Sequence, residues 1–328
     1  MRTEVDPTVR SGGHRRADPP VFLLGLHRTG STWLHAMLAQ TGCFRVLTAH
    51  HVIHWDEYLS GPCNREPSRE RLAARFRQLG LTNRVIDAVE VNPRLPEEYG
   101  FILDRVGAGL KTRASNVVWL SFLIDLLANE DGTTGQVLLK NPWDFGRAHL
   151  IKRFIPEAKI IYIHRHPADV FDSMFRMVSS LTTTPNGYLS CLSGNYASVV
   201  ANPFPLAVAR WLFNGHRAAP ARLIIKHLAR ETHRYLQSRA QIPNMDYVEV
   251  KYESLCRQPK ETLDGILSWL GLDRADDDIG EMVSPSGRPR LDSFPEAREM
   301  LAEKLSAYCR ALGYEWEAIS GRPCHWRQ

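Results

Sequence analysis

The feature that most constrains this chain is a short glycine loop between a strand pattern and a helix pattern. The apolar residues 21–24 predict a buried strand, and residues 32–40 carry apolar side chains at helical spacing. Between them, Gly25 to Thr32 follow the pattern G-x4-G-x-[ST]. Backbone N–H groups in such a loop, together with the positive end of the following helix, favour an anion. The loop therefore predicts a phosphate-binding site, with a plain strand-to-helix turn as the alternative.

This loop lacks the lysine with which nucleoside triphosphatases contact the β- and γ-phosphates. That lysine follows the second glycine, and here the position is Ser31. Arg28 supplies a positive charge from within the loop instead, and no acidic residue follows an apolar strand as a magnesium-binding aspartate would. The pattern therefore indicates a phosphate-like group that is bound without a metal.

The remainder of the chain alternates between strand and helix patterns. Strands are predicted at 44–48, 136–140, 159–164 and 247–250, with helices at 117–127, 167–178 and 259–270. Such alternation predicts an α/β fold: one domain with a parallel sheet of about five strands, helices on both faces, and helical and loop insertions. Residues 181–205 are rich in Thr, Ser, Asn, Gly and Pro and predict a long loop, a candidate lid.

Composition limits the class of protein. The 328 residues include 41 basic and 36 acidic side chains, and this net charge of +5 is spread along the chain, so we expect anionic ligands but no nucleic-acid partner. Residues 1–20 have no apolar signal segment and predict a flexible arm before a domain at 21–328. No run of about 18 apolar residues predicts a membrane span. The six scattered cysteines suggest reduced thiols, so we expect a cytoplasmic protein.

Four sequence blocks, in order, resemble sulfotransferases that use 3′-phosphoadenosine 5′-phosphosulfate (PAPS), in the group that includes bacterial and tyrosylprotein members. In this chain FLLGLHRTGSTWL resembles the family's 5′-phosphosulfate loop, and LLKNP resembles the strand that carries its catalytic lysine. IIYIHRHPADVFDSM resembles the family's 3′-phosphate segment, and VKYESLCRQP resembles its tyrosine strand. The blocks span most of residues 21–272. The resemblance implies a P-loop sulfotransferase fold and sulfuryl transfer from PAPS to a hydroxyl of a small-molecule, natural-product or lipid acceptor.

The resemblance also implies the residues that hold the donor. The 5′-phosphosulfate loop supplies Arg28, Thr29, Gly30, Ser31, Thr32 and Trp33. The other donor contacts implied are Arg165 and Ser173 at the 3′-phosphate, Tyr252 near the nucleotide, and Arg288 or Arg290 in a late basic loop. The planar guanidinium of Arg165 suits bidentate phosphate binding, although an ion pair with Asp169 or Asp172 would also explain it.

The catalytic residues follow from two further segments. Lys140 ends an apolar strand at the sheet edge where ligands bind, and the resemblance implies that it stabilises the leaving oxygen. Alignment with family members reading Glu-Val-His-Phe-Phe-Asp places His51 at the position of the base. His50 is the second candidate, because strand alternation leaves the register open, and Asp144 and Asp56 are more remote choices.

Several alternatives remain open at this stage. His50 and His54 have i, i+4 spacing, but no third ligand is evident, so we predict no metal. Glu97 and Glu98 follow Pro96, a position that suits the first turn of a helix at least as well as a substrate role. The competing functions are a P-loop small-molecule kinase and a catalytically silent nucleotide-binding protein.

Overall fold

The computed structural model describes residues 18–61, 64–84, 89–130, 135–215, 217–273 and 295–316. In these ranges five parallel strands form a sheet in the order β2-β3-β1-β4-β5. The strands are β1 (Val21–Gly25), β2 (Phe44–Val46), β3 (Gln136–Lys140), β4 (Lys159–His164) and β5 (Tyr247–Lys251). The predicted α/β architecture with a five-stranded parallel sheet is therefore confirmed.

The strand order reverses beside β1. The chain runs from β1 to β2 and β3 on one side of the sheet and then crosses to β4 and β5 on the other side. The register pairs Leu23 with Lys140 and Gly25 with Ile163, so the carboxyl ends of the three central strands lie at one edge. A crevice at such a reversal is the usual ligand site of an open α/β sheet.

Helices flank the sheet and form the insertions between strands. Those before β4 are α1 (Ser31–Gln40), α2 (Ala49–Ile53), α3 (Trp55–Leu59), α4 (Glu66–Gln78), α5 (Gly100–Arg105), α6 (Val118–Ala128) and α7 (Ala148–Phe154). Those after β4 are α8 (Pro167–Thr183), α9 (Gly187–Leu192), α10 (Gly194–Ala201), α11 (Pro203–Gly215), α12 (Ala218–Arg239), α13 (Tyr252–Arg257), α14 (Pro259–Leu270), α15 (Pro295–Lys304) and α16 (Ser306–Leu312).

Both faces of the sheet are buried, which explains the continuous apolar strands. Phe22 and Leu24 belong to one core, with residues of α6 and α12, because alternate side chains of a strand point to opposite faces. Val21 and Leu23 belong to the other core, with residues of α1 and α14. The positions of the strands and of the loop after β1 are thereby set by two hydrophobic layers.

The predicted loop at 181–205 is wrong, because most of this segment is helical. Helix α8 extends to Thr183, and α9 and α10 follow. The side chain of Asn186 accepts a hydrogen bond from Leu189 N at the start of α9, and that of Ser193 accepts from Tyr196 N at the start of α10. Asn186 and Ser193, two of the polar residues that suggested a loop, are therefore helix N-caps.

Further predictions concern the N-terminal arm, the late basic loop and membrane spans. Most of the predicted arm, residues 1–17, lies outside the described residues, as do Arg288 and Arg290. Among the residues that are described, no helix combines the length and the apolar character needed to cross a lipid bilayer.

Candidate active site

The glycine loop between β1 and α1 has the backbone geometry of an anion-binding turn. Arg28 and Gly30 have left-handed φ values of 72° and 88°, and the hydroxyl of Thr29 donates to the carbonyl of Leu26 at 2.7 Å. A Cβ on Gly30 would lie 2.3 Å from the ring of Tyr252, so only glycine fits there. The first N–H groups of a helix have no acceptor within the helix. Because α1 begins directly after this loop, its first N–H groups and its positive end lie at this edge of the sheet.

A second group of side chains joins the loop to α8 and α13. Arg28 Nε donates to Ser173 Oγ at 2.9 Å, and Arg165 Nη1 donates to the carbonyl of Arg28 at 3.2 Å. The guanidinium of Arg165 also lies 4.5 Å from the ring centroid of Tyr252, whose ring meets that of Trp33 edge-on. Residues predicted from three separate sequence blocks are therefore brought together.

Arg165 retains hydrogen-bonding capacity in this cluster. Its Nε is 3.7 Å from the carboxylate of Asp169, so the ion pair considered above is present, but the distance exceeds that of a hydrogen bond. Within the described part of the chain this buried Nε has no hydrogen-bond partner. Burial raises the pKa of Asp169, and the charge of Arg165 opposes this shift. The guanidinium can therefore bind an additional anion.

Lys140 lies between the glycine loop and a carboxylate. Its side chain is 1% exposed, and its Nζ donates to Thr32 Oγ1 and to Glu98 Oε1, each at 2.9 Å. Burial by itself would raise the pKa of Glu98, but the charge of Lys140, with a smaller contribution from Arg84, lowers it below the ordinary value. An ammonium and an ionised carboxylate are thus placed at the start of α1.

The first-turn interpretation of Glu97 and Glu98 is wrong. Glu98 forms an isolated bridge with Lys140, and Glu97 N donates to the carbonyl of Leu47 at 2.8 Å, so both residues are extended. Helix α5 begins only at Gly100. The two adjacent carboxylates after Pro96 were visible in the sequence, but no local pattern indicated that this segment bridges the end of β3.

His50 and His51 lie on the short helix α2, so strand alternation does not apply to them. His51 Nδ1 accepts from the backbone N–H of Thr48 at 3.1 Å in a capping box, and its Nε2 lies 2.8 Å from Glu130 Oε2. His50 Nδ1 and Nε2 lie 2.7 Å from Tyr58 OH and from a serine hydroxyl, respectively. Burial lowers the pKa of His50 to about 4. The described hydrogen bonds of both imidazoles are therefore made to groups other than Lys140.

The two remoter candidates for the base are Asp144 and Asp56. Asp144 is fully buried and accepts hydrogen bonds from Thr112 N, Tyr99 OH and Asn141 Nδ2. Burial raises its pKa. Asp56 is exposed on α3. The contacts of Asp144 connect segments of the core, a structural role.

We predicted no metal at His50 and His54 because no third ligand was evident, but the structure places Glu57 beside them. Atoms of His50, His54 and Glu57 lie within 4.8 Å of one another. However, the rings of His50 and His54 are stacked at 4.8 Å with 17° between their planes, and His54 Nδ1 lies 2.9 Å from Glu57. The in-plane lone pairs of stacked rings do not converge on one point, so these contacts fit a hydrogen-bonded cluster better than a metal centre.

His27 is a candidate site residue that sequence reasoning did not single out. It lies in the glycine loop, with its ring edge-on to Trp143 at a centroid distance of 4.3 Å. Burial lowers its pKa to about 4, while Glu98 opposes the shift, and its Nε2 has no hydrogen-bond partner among the described residues. A neutral imidazole therefore lies close to Glu98 and Lys140. The available signal was its position in the loop.

The comparisons with known proteins agree with this geometry. No curated protein sequence matches the chain. The structure resembles sulfotransferase STF9 from Mycobacterium avium, at 18% identity and a TM-score of 0.56, covering 92% of this chain and 78% of that one. It also resembles sulfotransferase STF1 from Mycobacterium tuberculosis H37Rv, at 18% identity and a TM-score of 0.51, with 92% and 75% covered. At this identity the likeness shows the fold.

The sequence itself shows the family. Residues 19–196 and 198–277 match the model of the Sulfotransferase family, which is most of the chain. This match decides against the small-molecule kinase and the catalytically silent protein considered above. With its five-stranded fold and its glycine loop, the chain belongs to the sulfotransferase family and is a sulfotransferase.

Proposed function

We propose that the protein transfers the sulfuryl group of PAPS to the hydroxyl of a small-molecule, natural-product or lipid acceptor. The observation that carries this proposal is the hydrogen bond of 2.9 Å between Arg28 Nε and Ser173 Oγ. It joins the loop proposed for the 5′-phosphosulfate to the helix proposed for the 3′-phosphate, so one nucleotide with both groups would fill one cleft. The Nε of Arg165, which has no hydrogen-bond partner among the described residues, supports a 3′-phosphate there.

Lys140 would stabilise the negative charge of the leaving group. PAPS supplies an activated sulfuryl group, whose bond to the bridging oxygen breaks as the acceptor oxygen bonds to sulfur. The Nζ of Lys140 is held by Thr32 at the start of α1, where loop amides and the helix dipole also favour negative charge. The proposed mechanism needs no metal ion, because these groups supply the electrostatic stabilisation.

We infer that Glu98 takes the acceptor proton, in place of His51 or His50. Its carboxylate is ionised and lies 2.9 Å from Lys140, whereas the described contacts of both histidines lead to other side chains. Burial alone would raise the pKa of Glu98, and Lys140 opposes that shift most strongly. When the ammonium shares its charge with the anionic donor, the carboxylate therefore becomes a stronger base.

The acceptor would approach beside His27 and Trp143. Because the imidazole of His27 is neutral, it can exchange a hydrogen bond with a hydroxyl without adding a charge beside Glu98. The indole of Trp143 supplies an apolar surface next to that ring. This environment fits an alcohol or phenol with an apolar body.

The test of the donor is thermal unfolding with adenosine 3′,5′-bisphosphate, the product of the donor. We expect a rise in Tm that corresponds to about 2.7 kcal/mol at one hundred times the dissociation constant, and a much smaller rise with ATP, which has no 3′-phosphate. Ser173→Ala should reduce the bisphosphate effect and leave the ATP effect unchanged. Equal stabilisation of the wild-type protein by the two nucleotides would contradict the proposal.

A further inference from the structure

The segment from α8 to α12 has an unusual distribution of charge. Between Asp172 and Glu231 the sequence contains no acidic residue. The same stretch contains the basic residues Arg176, Arg210, Arg217, Arg222, Lys226 and Arg230. This part of the chain is therefore positively charged although the whole protein carries only +5.

Helix α11 presents a row of exposed apolar side chains. Phe204, Val208 and Trp211 are 75%, 41% and 60% exposed. Their spacing of four and three residues places them on one face of the helix. On another face Phe213 packs against Phe175 of α8, with ring centroids 5.3 Å apart. The helix is thus apolar on its inner and on its outer side.

The single charged residue of α11 is directed towards α8. Arg210 Nε donates to the carbonyl of Thr182 at 2.7 Å, and its Nη2 donates to that of Thr183 at 3.0 Å. The guanidinium thereby binds the carboxyl-terminal carbonyls of α8. No charge of α11 is left for the exposed row, so its exposed surface is apolar and its burial would be favourable.

Helix α12 follows α11 and carries a row of exposed basic side chains. Arg222, Lys226 and Arg230 are exposed at intervals of four residues, and Leu223 is exposed beside them. The opposite face of α12 is buried, with Ile225 and Leu228 in the core. Helix α12, which carries the basic row, follows α11 in the sequence and contacts it.

We propose that this surface docks on an anionic lipid membrane. Val199 on the neighbouring helix α10 is exposed as well. We call the surface the α10–α12 surface, and it consists of Val199, Phe204, Val208, Trp211, Arg222, Leu223, Lys226 and Arg230. Exposed Trp and Phe on a helix, with Arg and Lys next to them, are typical of helices that lie in the membrane interface. The aromatic row would enter the headgroup region, and the basic row would bind anionic headgroups.

A second copy of this chain fits the surface less well. A symmetric dimer through this face would gather the positive charges of both copies at one interface, and like charges oppose such a contact. A negatively charged bilayer has the complementary sign and accepts apolar side chains at the same time. The proposal does not depend on the donor or on the base proposed above.

The test is flotation of the full chain with lipid vesicles. We expect binding to vesicles of phosphatidylcholine mixed with phosphatidylglycerol, little binding to phosphatidylcholine alone, and weaker binding as salt is added. Phe204→Ser combined with Trp211→Ser should weaken binding roughly tenfold or more. Arg222→Gln combined with Lys226→Gln should weaken it about thirtyfold, since each basic residue contributes about fivefold.

Matched controls distinguish this surface from general hydrophobicity. Met245 is 73% exposed on a different part of the molecule, and Met245→Ser should leave vesicle binding unchanged. Absence of wild-type binding to the anionic vesicles would overturn the proposal, and so would unchanged binding by the charge variant. A dimer in light scattering that Trp211→Ser dissociates would assign the surface to a second copy instead.

Discussion

The Nζ of Lys140 lies 2.9 Å from Oε1 of Glu98, and both side chains are buried at the carboxyl end of the sheet. Lys140 ends β3, and Glu98 comes from a segment that bridges this strand end, so the pair depends on tertiary structure. Loss of either partner would leave a buried charge without compensation. Variants that test this site therefore have to keep a polar group in place.

The first prediction concerns Glu98→Gln. The amide keeps the size and an acceptor oxygen but cannot take a proton, so we expect kcat to fall by roughly 10² to 10⁴. Binding of adenosine 3′,5′-bisphosphate should be unchanged or tighter, because the charge of Lys140 loses its partner. Turnover and calorimetric titration measure the two effects. Glu57→Gln on α3 is the control, and near-normal turnover of Glu98→Gln would exclude Glu98 as the base.

The second prediction concerns His51→Ala. This change removes the capping-box contact with Thr48 and the contact with Glu130, so we expect a loss of about 1 kcal/mol or more in the free energy of unfolding. Turnover of the folded protein should stay within a few-fold of the wild type. Denaturant unfolding and kcat measure these quantities. A large fall in kcat with unchanged stability would return the role of base to His51.

The third prediction concerns the pH dependence of kcat/KM. The pKa of Glu98 in the free enzyme is below its ordinary 4.5, so the carboxylate stays ionised as pH falls and is protonated only at more acid pH. We therefore expect the acidic limb of the profile to lie below about pH 4.5, whereas an imidazole base would place it near about 6.5. Rates measured from about pH 4 to about pH 8 distinguish these cases.

The same shift predicts how the Lys140–Glu98 pair contributes to stability. Because the pKa of Glu98 is lowered by folding, the contribution is present above the unfolded value of 4.5 and is lost as pH falls through the folded value. Glu98→Gln should therefore reduce the difference in Tm between neutral and acid solution. An identical pH dependence of Tm in both proteins would show that the pair contributes little.

The fourth prediction concerns Arg165→Ala. Loss of a charge-assisted contact to the 3′-phosphate should weaken bisphosphate binding by about 1.5 to 3 kcal/mol, which is roughly ten- to 150-fold. Arg153→Ala, which removes an exposed arginine on α7, is the control and should bind normally. Calorimetry gives the dissociation constants. Normal binding by a folded Arg165→Ala protein would remove this residue from the donor site.

The fifth prediction compares two left-handed glycines. Gly42 has φ 73°, and a Cβ added there would meet no atom within 4 Å. Gly42→Ala should therefore lower the free energy of unfolding only by the backbone cost of about 1 to 2 kcal/mol. Gly30→Ala has φ 88° and would also meet Tyr252 at 2.3 Å. We expect a larger loss of stability and weaker bisphosphate binding, and Gly30→Ala should cost less stability when it is made in a Tyr252→Ala background. Equal Tm losses in the two glycine variants would contradict the close approach.

Local patterns in the sequence were sufficient for the sheet and for the loop that follows its central strand. Short apolar runs buried on both faces have a strong signal, and the glycine loop needs only neighbouring residues to adopt its geometry. The segment at 181–205 shows the limit of composition. Asn186 and Ser193 cap helices there, and the same residue types also favour turns, so their side chains did not distinguish the two structures.

By itself, the sequence determined the parallel sheet, the glycine loop and the order of the blocks, because these follow from short apolar runs, from the alternation of strand and helix patterns and from contacts between near neighbours. Only the tertiary structure decided that Glu98 lies beside Lys140 and that His51 binds Glu130. These pairs join residues 42 and 79 positions apart. Their geometry depends on how separate segments pack, which no local spacing of residues encodes.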